Sequence, residues 1–372
     1  MRRFDAVVVG GGLVGAAIAW GMQRRGARVA LLDEGDLAYR ASRGNFGLVW
    51  VQSKGLGAPH YQRWTRASAA EWPALNEELG RLSGRDCGLS QPGGVHLCLS
   101  EREFEDRAAR MARMKEEAGN HGYEYRMLRR GELDGMLPGL GPDVVGASWT
   151  PYDGHANSLN LLHALHIAFE GAGGAYVPGA KLLDAACAPR DFRLRTTAGD
   201  VAAPRAVLAA GLGNRELAPL FGLDAPVRPQ KGQVLVTERA RHALDLPTTS
   251  VRQTPEGTLL LGDSQEEAGF DLSQAADVMA MIADRAVRSF PWIAGLNIVR
   301  AWSALRVMAP DGLPIYDESE RYPGAFTANC HSGVTLAGAH AHLLAPMLLG
   351  QGLDPMLAGF SARRFAADRR AA

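Results

Sequence analysis

The sequence predicts an α/β fold, a parallel sheet with a nucleotide-binding turn, combined with an interleaved α+β portion. The first observation is a short β-branched run at residues 6–9, which is typical of a buried parallel strand. The second is that Gly10, Gly12 and Gly15 follow this run at the G-x-G-x-x-G spacing. An apolar helical stretch and another strand-like run at residues 28–33 come next. Together they predict a Rossmann-like βαβ unit that binds an ADP-containing dinucleotide.

The glycine spacing has a mechanical reason. Gly10 permits a tight turn, Gly12 lets the backbone approach a pyrophosphate, and Gly15 lets the following helix pack closely on the strand. The helix N-terminus then directs its N–H groups and partial positive charge at the phosphates. Asp33 ends the second strand, roughly 20 residues past the glycines, where a carboxylate can accept hydrogen bonds from the adenosine ribose.

The third observation is the order of elements further along the chain. Helical apolar spacing alternates with strand-like runs but without a sustained βαβ rhythm. We expect helices at 65–81, 101–118, 160–172, 273–290 and 333–349, and strands at 93–99, 144–149, 201–211, 231–236, 251–254, 257–262, 299–306 and 324–328. This pattern predicts a second, mixed-sheet domain inserted into the nucleotide-binding one. We assign 1–85, 145–225 and 300–372 to the nucleotide-binding domain, and 86–144 and 226–299 to the other.

Composition narrows the class of protein. The chain has 372 residues with 40 basic and 40 acidic side chains, so its formal charge is zero and offers no footprint for nucleic acid. We find no apolar run long enough to span a bilayer, and the N-terminal run carries the glycine motif, so it is not a signal peptide. We expect a cytoplasmic protein, which a complex could hold against the inner membrane.

The four cysteines lack the short spacing of zinc or iron–sulfur ligands. Cys87, Cys98, Cys187 and Cys330 are scattered and are expected to be buried thiols. We therefore predict no metal site, and any iron–sulfur centre of a complex would sit on another chain.

Residues 302–314 (WSALRVMAPDGLP) resemble the D-amino-acid oxidase family of FAD enzymes, which includes glycine, sarcosine and proline oxidases. The resemblance covers nearly the whole chain, because the glycine loop, Asp33, residues 42–47, residues 209–211 and the final helix fall in the family's order. Three further stretches, 45–55, 251–254 and 330–337, resemble the FAD subunit of opine oxidases, hydrogen cyanide synthase and D-hydroxyproline dehydrogenases.

The resemblance implies FAD rather than NAD, and the fold of glycine, sarcosine and D-amino-acid oxidases. It implies cofactor contacts from Gly10, Gly12, Leu13, Val14, Gly15, Asp33, Glu34, Ser42, Arg43, Asn45, Gly47, Leu48, Leu182, Ala210, Gly211, Arg306, Ser332, Gly333, Val334 and Thr335. The chain departs from the family's usual glycine and proline by having Ala304 and Val307. Some sarcosine oxidases attach their flavin through a cysteine at about position 304, and since alanine cannot form that bond we expect non-covalent FAD.

Oxidation of an amino acid needs few protein groups, because the flavin accepts the hydride and the protein orients the substrate. Arg306 matches the family's arginine that forks onto the substrate carboxylate, although a structural salt bridge is the alternative. His331, Arg252 and Lys54 are the other polar candidates for catalysis, and each equally suits a structural role. Arg252 could bind a second carboxylate, as an opine would require.

The closing helix is expected to point its N-terminus at the flavin. By the resemblance, the N–H groups of Gly333, Val334 and Thr335 would stabilise negative charge on the flavin.

These inferences predict a flavin-dependent dehydrogenase that oxidises the C–N bond of an amino acid, imino acid or opine to an imine. The resemblance implies the catalytic subunit of a complex whose partner subunits carry an iron–sulfur centre or a second flavin, FMN, at a subunit interface. The alternatives are a free-standing glycine, sarcosine or D-amino-acid oxidase that makes peroxide, and a non-catalytic flavin relay. The third alternative is an NAD-dependent dehydrogenase, which would bind nicotinamide and lack the yellow colour of a flavin.

Overall fold

A computed structural model describes residues 1–35, 41–241, 243–350 and 352–366 of the chain. The C-terminal end of the predicted nucleotide-binding domain, 367–372, lies outside the described residues. All the residues that the sequence singles out as site candidates lie inside them.

The strands that the structure describes, in chain order, are β1 (Arg2–Arg3), β2 (Ala6–Val9), β3 (Val29–Asp33), β4 (Leu48–Val49), β5 (Gly94–Cys98), β6 (Arg126–Arg129), β7 (Gly146–Thr150), β8 (Gly154–His155), β9 (Ala175–Pro178), β10 (Leu182–Ala188), β11 (Asp191–Thr196), β12 (Val201–Ala203), β13 (Ala206–Leu208), β14 (Arg228–Arg239), β15 (Val251–Gln253), β16 (Thr258–Leu261), β17 (Ile298–Met308), β18 (Ile315–Glu318) and β19 (Ala325–Asn329). The helices are α1 (Leu13–Gln23), α2 (Pro59–Ser83), α3 (Glu101–Ala118), α4 (Arg130–Leu133), α5 (Ser158–Gly171), α6 (Asn214–Leu217), α7 (Ala276–Ser289), α8 (Ala337–Ala339) and α9 (Ala345–Leu349). Short 3₁₀ turns cover Gly119–His121, Gly211–Gly213, Ala218–Phe221, Pro291–Gly295, Pro355–Phe360 and Ala362–Phe365.

The predicted βαβ unit lies at the centre of a six-stranded sheet with the order β18-β19-β13-β2-β3-β9. β2 is parallel to both β3 and β13, with Val8 opposite Leu31 on one side and Val207 on the other. The side chains of β2 are almost fully buried, because helices or sheets cover both faces, which is why the run at 6–9 is continuously apolar. The predicted buried parallel strand and its βαβ unit are confirmed, and the edge strand β18 is antiparallel to β19.

The late strand predicted over 201–211 is in fact two strands in different sheets. β12 joins the small sheet β1-β12-β11-β10, whereas β13 joins the central sheet. Pro204 separates them, and since proline has no backbone N–H to donate, it ends the first strand. Only β13 runs toward the glycine turn.

The second large sheet is antiparallel, with the order β15-β16-β14-β17, and helix α7 packs against it. Its longest pair joins β14 to β17, which places Gln230 opposite Arg306. A three-stranded sheet, β5-β7-β6, adjoins it through a bridge between Val95 and Thr248. These mixed sheets, together with the central parallel one, confirm the predicted combination of α/β and α+β structure.

The closing helix begins later than predicted. A turn over 333–336 precedes α8, and the chain passes through a π-helical turn, His340–Leu344, before α9. Leu336 N donates to Ser332 O, so Gly333 and Thr335 lie inside the first hydrogen-bonded turn ahead of the helix. Helix α2 fixes this turn, because Ser68 Oγ donates to Thr335 O (2.7 Å).

Candidate functional site

The glycine turn lies at the carboxyl end of β2, where the sheet meets helix α1. Gly10 has φ +109°, and a Cβ on it would lie 2.4 Å from Ala209 O, so a side chain is excluded by conformation and by contact. A Cβ on Gly15 would lie 1.8 Å from Gly10 O. The close packing of strand, turn and helix that the spacing predicts is confirmed.

A long cleft, open to solvent at its mouth, follows this turn. It runs from the end of β3, past the turn, to the carboxyl end of β19. Twelve of the predicted cofactor residues line it: Gly10, Gly12, Leu13, Val14, Asp33, Glu34, Ser42, Asn45, Leu182, Ala210, Gly211 and Gly333. The topology therefore brings one continuous wall together from six separate parts of the chain.

The polar groups of this cleft suit a dinucleotide. Asp33 accepts hydrogen bonds from Gly11 N (2.7 Å) and Gly35 N (2.9 Å), which hold its carboxylate at the end of β3. Ser42 Oγ accepts a hydrogen bond from Leu13 N (2.9 Å) in the first turn of α1. Gly12 has no side chain to cap the other N–H groups of that turn, so the helix N-terminus can receive a phosphate.

A second cavity continues from the first and shares Ala41, Asn45 and His331 with it. The antiparallel sheet of β14 and β17, the loop before β4 and the turn after β19 enclose it, and its lining includes Leu48, Ser332, Val334 and Thr335. Its charged lining consists, among the described residues, of Lys54, Arg285, Arg306 and one carboxylate, Asp263. Arg285 also pairs with Glu103 (3.0 Å), so the cavity has a small excess of positive charge, which favours an anionic ligand.

Arg306 projects from β17 into this second cavity. Its Nη2 donates to Asp263 Oδ2 (2.5 Å), and its Nη1 donates to Lys231 O (3.2 Å). The Arg306 side chain is 22% exposed, and Asp263 is 42% exposed. The guanidinium is therefore held in place from one side and accessible from the cavity.

Lys54 and His331 contact each other on the wall of the same cavity. Lys54 Nζ lies 2.9 Å from His331 Nε2. Burial, together with a smaller contribution from the positive charge of Arg306, lowers the pKa of Lys54 to about 8. Burial also holds the pKa of His331 well below its usual range, with Lys54 and Arg306 adding to the effect. The imidazole is therefore neutral at pH 7.

A buried polar network fixes the segment that carries Lys54. The carboxylate of Asp153 accepts hydrogen bonds from Val51 N (2.5 Å) and Gln52 Nε2 (2.6 Å). Arg107 Nη2 donates to Gln52 Oε1 (2.7 Å) and completes the network. Burial raises the pKa of Asp153 to about 6 against these hydrogen bonds, so the carboxyl is mainly ionised at pH 7. The backbone before Lys54 is thus held at several points.

The structure does not bring four of the predicted site residues to either cavity wall. Gly15 packs beneath the turn, Gly47 packs against Ala156 O, and Arg43 is exposed. Arg252 lies behind the loop before β4, where its Nε donates to Phe46 O (2.5 Å), and it lines a separate surface cavity. Burial lowers the pKa of Arg252 to about 10. We therefore assign Arg252 no contact with a ligand in the second cavity.

Two residues of this site were missed from the sequence. Asp263, the partner of Arg306, follows β16 in a stretch without a motif, and it meets Arg306 only because β16 and β17 flank β14. Asp153 precedes β8 in an ordinary turn, 102 residues from its partner Val51. Neither carries a local sequence signal.

The structure gives the burial of the four cysteines. Cys87, Cys98 and Cys330 are buried as expected, but Cys187 is partly exposed. Within the described ranges, no cluster of histidine, cysteine or carboxylate side chains could hold a metal ion. Among the helices that the structure describes, none has the length and apolar character to cross a membrane.

Comparison with known proteins gives consistent results. Residues 5–347 match the family model described as DAO, FAD dependent oxidoreductase. The chain is 46% identical to an opine oxidase subunit of Rhizobium meliloti, over 99% of this chain and 100% of that protein. It is 27% identical to hydrogen cyanide synthase subunit HcnC of Pseudomonas aeruginosa, over 98% and 97% of the two chains. Its fold is similar to that of glycine oxidase from Geobacillus kaustophilus, with a TM-score of 0.88, 29% identity and coverage of 97% and 98%.

Proposed function

Because the chain belongs to the DAO family of FAD-dependent oxidoreductases, which act on amino C–N bonds, we propose that it oxidises an opine or a related N-substituted amino acid. The product is an imine, which water hydrolyses. The observation that carries this proposal is the position of Arg306, a carboxylate-binding group in a cavity that opens into the nucleotide cleft.

We place FAD in the cleft, with its diphosphate at the glycine turn and its ribose at Asp33. The twelve cleft residues named above would hold it, and the bound flavin would accept the hydride from the substrate. Ala304 lines the second cavity and cannot bond a flavin covalently, so the cofactor is non-covalent in this proposal. The N–H groups of Gly333, Val334 and Thr335 would stabilise negative charge at the end of the cleft nearest the second cavity.

Arg306 would bind the substrate carboxylate through its fork of N–H donors. In the free protein Asp263 already accepts one of those hydrogen bonds. A substrate carboxylate would replace Asp263 on the guanidinium, and the carbonyl of Lys231 would keep the arginine in place during the exchange. This contact fixes the substrate Cα–H toward the cleft.

The division of labour between domains follows from the two cavities. We propose that 1–85, 145–225 and 300–372 form the FAD-binding domain and that 86–144 and 226–299 form the substrate-binding domain. The second cavity receives Arg306 from the first set, and Asp263 and Arg285 from the second. Since Arg306 and Asp263 already meet in this cavity (2.5 Å), a substrate there would contact both domains at once.

We further propose that the chain is the catalytic subunit of a complex. The relatives named above are subunits of opine oxidase and of hydrogen cyanide synthase. Partner subunits carrying an iron–sulfur centre, or FMN at their interface with this chain, would then accept the electrons. The alternative is a free-standing oxidase, which the similarity to glycine oxidase favours.

The test is a visible spectrum of the purified chain before and after anaerobic addition of glycine, sarcosine, L- and D-proline, D-hydroxyproline, octopine and nopaline. We expect flavin absorption that octopine or nopaline bleaches. A flavin spectrum that no member bleaches would contradict the proposed substrate class, and a colourless chain unable to take up FAD would contradict the cofactor. Rapid peroxide formation in air by the single chain would favour the free-standing oxidase.

A further inference from the structure

We propose that Lys54 and His331 form the proton-accepting pair of this site, in which Lys54 Nζ removes the proton from the substrate's ammonium group. His331 is the positioning residue that holds Nζ in place. This inference rests on the proposed function, because it assigns a step of amine oxidation. Nothing in the family resemblance assigns such a step to these two residues.

The chemistry needs a proton acceptor. The amine of an amino acid or an opine is mainly protonated at neutral pH, and an ammonium nitrogen has no lone pair to donate into a forming C=N bond. The proton must therefore leave before, or together with, the hydride. A side chain that accepts it should titrate near the working pH.

The position of the pair suits this task. His331 lines both cavities, so it marks the junction where the cofactor cleft opens into the substrate cavity. Lys54 lines the second cavity together with Arg306. A substrate whose carboxylate lies on Arg306 and whose Cα–H points into the cleft therefore presents its nitrogen at the same junction as Nζ.

The hydrogen bond between the two side chains has a defined direction. The backbone of Gly312 raises the pKa of His331, which is the effect of a carbonyl that accepts a hydrogen bond from the ring, and Nε2 faces Lys54. The ring proton therefore lies on Nδ1, and Nε2 accepts a hydrogen bond from Nζ. A neutral Nζ can donate one N–H to Nε2 and direct its lone pair into the cavity.

The charges around Lys54 come from several elements of the fold. Arg306 and His331 face it from β17 and from the turn after β19, while Asp263 and Asp153 contribute negative charge. Cys330 is adjacent, but burial raises the pKa of its thiol to about 12, so it is uncharged. Within the described part of the chain, Lys54 Nζ has no carboxylate at ion-pair distance. A buried lysine without a carboxylate partner releases its proton easily.

The step balances as follows. The substrate's N–H⁺ bond breaks and its proton moves to Nζ, which becomes an ammonium group. The nitrogen lone pair then forms the C=N bond as the Cα–H electron pair leaves as hydride to the bound FAD. The product leaves as the protonated imine, which water hydrolyses, and Lys54 then returns its own proton to water.

The first experiment measures the rate of anaerobic flavin bleaching by the best substrate between pH 6 and 10. We expect the wild-type rate to rise to a plateau with a midpoint near pH 8. Lys54→Met should lose about 10²- to 10³-fold at pH 8 and lack that midpoint. Lys54→Arg should lose as much, because it keeps the charge but accepts no proton. Lys115→Met, which changes a lysine on the outer face of α3, is the matched control and should behave as wild type.

Two further measurements separate proton transfer from a structural role. Methylamine or ethylamine added to Lys54→Ala should restore bleaching at least about 10-fold, and the better base should restore more. The affinity for 2-methylalanine, an amino acid without an α-hydrogen, should show a pH dependence near 8 that Lys54→Met lacks. This affinity is read from the flavin spectrum and involves no turnover. His331→Gln should retain bleaching with a displaced midpoint.

The outcomes distinguish this inference from the proposed function. If no substrate bleaches the wild-type flavin, the proposed function fails. If the wild type is bleached and Lys54→Met shows the same rate and pH profile, only this inference is overturned. Activity retained by Lys54→Arg would overturn it too, since a fixed positive charge would then suffice.

Discussion

Two lysines in this chain, the buried Lys231 and the partly buried Lys54, have opposite surroundings. Lys231 donates to Asp271 Oδ2 (3.0 Å) and lies 3.3 Å from Glu266 Oε2, and its hydrogen bond to Asp271 raises its pKa. Among the described side chains, Lys54 meets the uncharged ring of His331, and its pKa falls to about 8. Lys231 therefore stays protonated at all physiological pH values, whereas Lys54 can exchange its proton near neutral pH.

The two lysines differ because Lys231 lies on the face of the antiparallel sheet that points away from the second cavity, whereas Lys54 lies on the cavity wall. In β14 the alternate residues Gln230, Gly232 and Val234 face the second cavity, so the side chain of Lys231, which lies between the first two, points to the other face. There it pairs with the carboxylates of Glu266 and Asp271 in the loop after β16, and these ion pairs hold that loop on the sheet. Lys54 lies on the cavity side, where the described neighbours leave space for a ligand. A buried lysine that pairs with carboxylates, such as Lys231, is typical of a structural role. A lysine on a cavity wall without such partners, such as Lys54, is a candidate for a functional role.

The largest effect should come from removing Arg306, the cation that depresses the pKa of Lys54. Arg306→Ala should lower kcat/KM for a carboxylate substrate by about 10²- to 10³-fold, equivalent to the ~2–5 kcal/mol of a truncated charge pair. Steady-state kinetics measure it. Arg228→Ala, which removes a surface ion pair on the same sheet, should change kcat/KM less than about threefold. Equal losses in both variants would place the effect in the sheet and not in substrate binding.

The second effect concerns stability at Lys54. Its pKa in the folded chain lies below the ordinary 10.5, so protonation below about pH 8 costs the folded state free energy, and this cost disappears as pH rises to 10.5. Lys54→Met should therefore raise the free energy of unfolding by about 1–3 kcal/mol at pH 7. Urea denaturation at pH 7 and pH 10.5 measures the difference. A destabilised variant at pH 7 would show that Lys54 is paired like Lys231.

The third effect is a loss of stability on replacing Lys231, where replacing Lys54 should give a gain. The raised pKa of Lys231 means that its stabilisation is complete below pH 10.5 and is lost only as the pH rises through its folded value. Lys231→Met leaves Glu266 and Asp271 facing each other, so it should lower the free energy of unfolding by about 1–2 kcal/mol at pH 7. The same urea titration measures it. The pH profile of flavin bleaching should not move, and a displaced midpoint would break the contrast between the two lysines.

The smallest effect should come from Asp263. This carboxylate raises the pKa of Lys54 and occupies Arg306 in the free protein, in a pair that is partly exposed. Asp263→Asn should lower the bleaching midpoint by a few tenths of a pH unit and tighten carboxylate binding about two- to fivefold, equivalent to ~0.5–1 kcal/mol. The pH profile of flavin bleaching by the best substrate measures the midpoint, and binding of 2-methylalanine followed by the flavin spectrum measures the affinity. Weaker binding would mean that Asp263 contacts the substrate instead of competing with it.

The sequence alone determined the nucleotide-binding half of the protein. The run at 6–9, the glycines after it and Asp33 are neighbours in the chain, and their chemistry depends on backbone geometry that local sequence dictates. Helix α3 is found over the predicted residues, because Ser100 caps it and its apolar spacing is regular. Arg306 could also be singled out, since the stretch around it resembles a known family.

Tertiary structure alone decided the substrate half. Arg252 follows the family pattern but lies behind the loop before β4, whereas Asp263 and Asp153 follow no pattern and lie beside Arg306 and Lys54. The contact between Lys54 and His331 joins residues 277 positions apart. Sheet pairing brings such groups together, and burial sets their protonation states. Neither can be predicted from the spacing of residues that are close in the sequence.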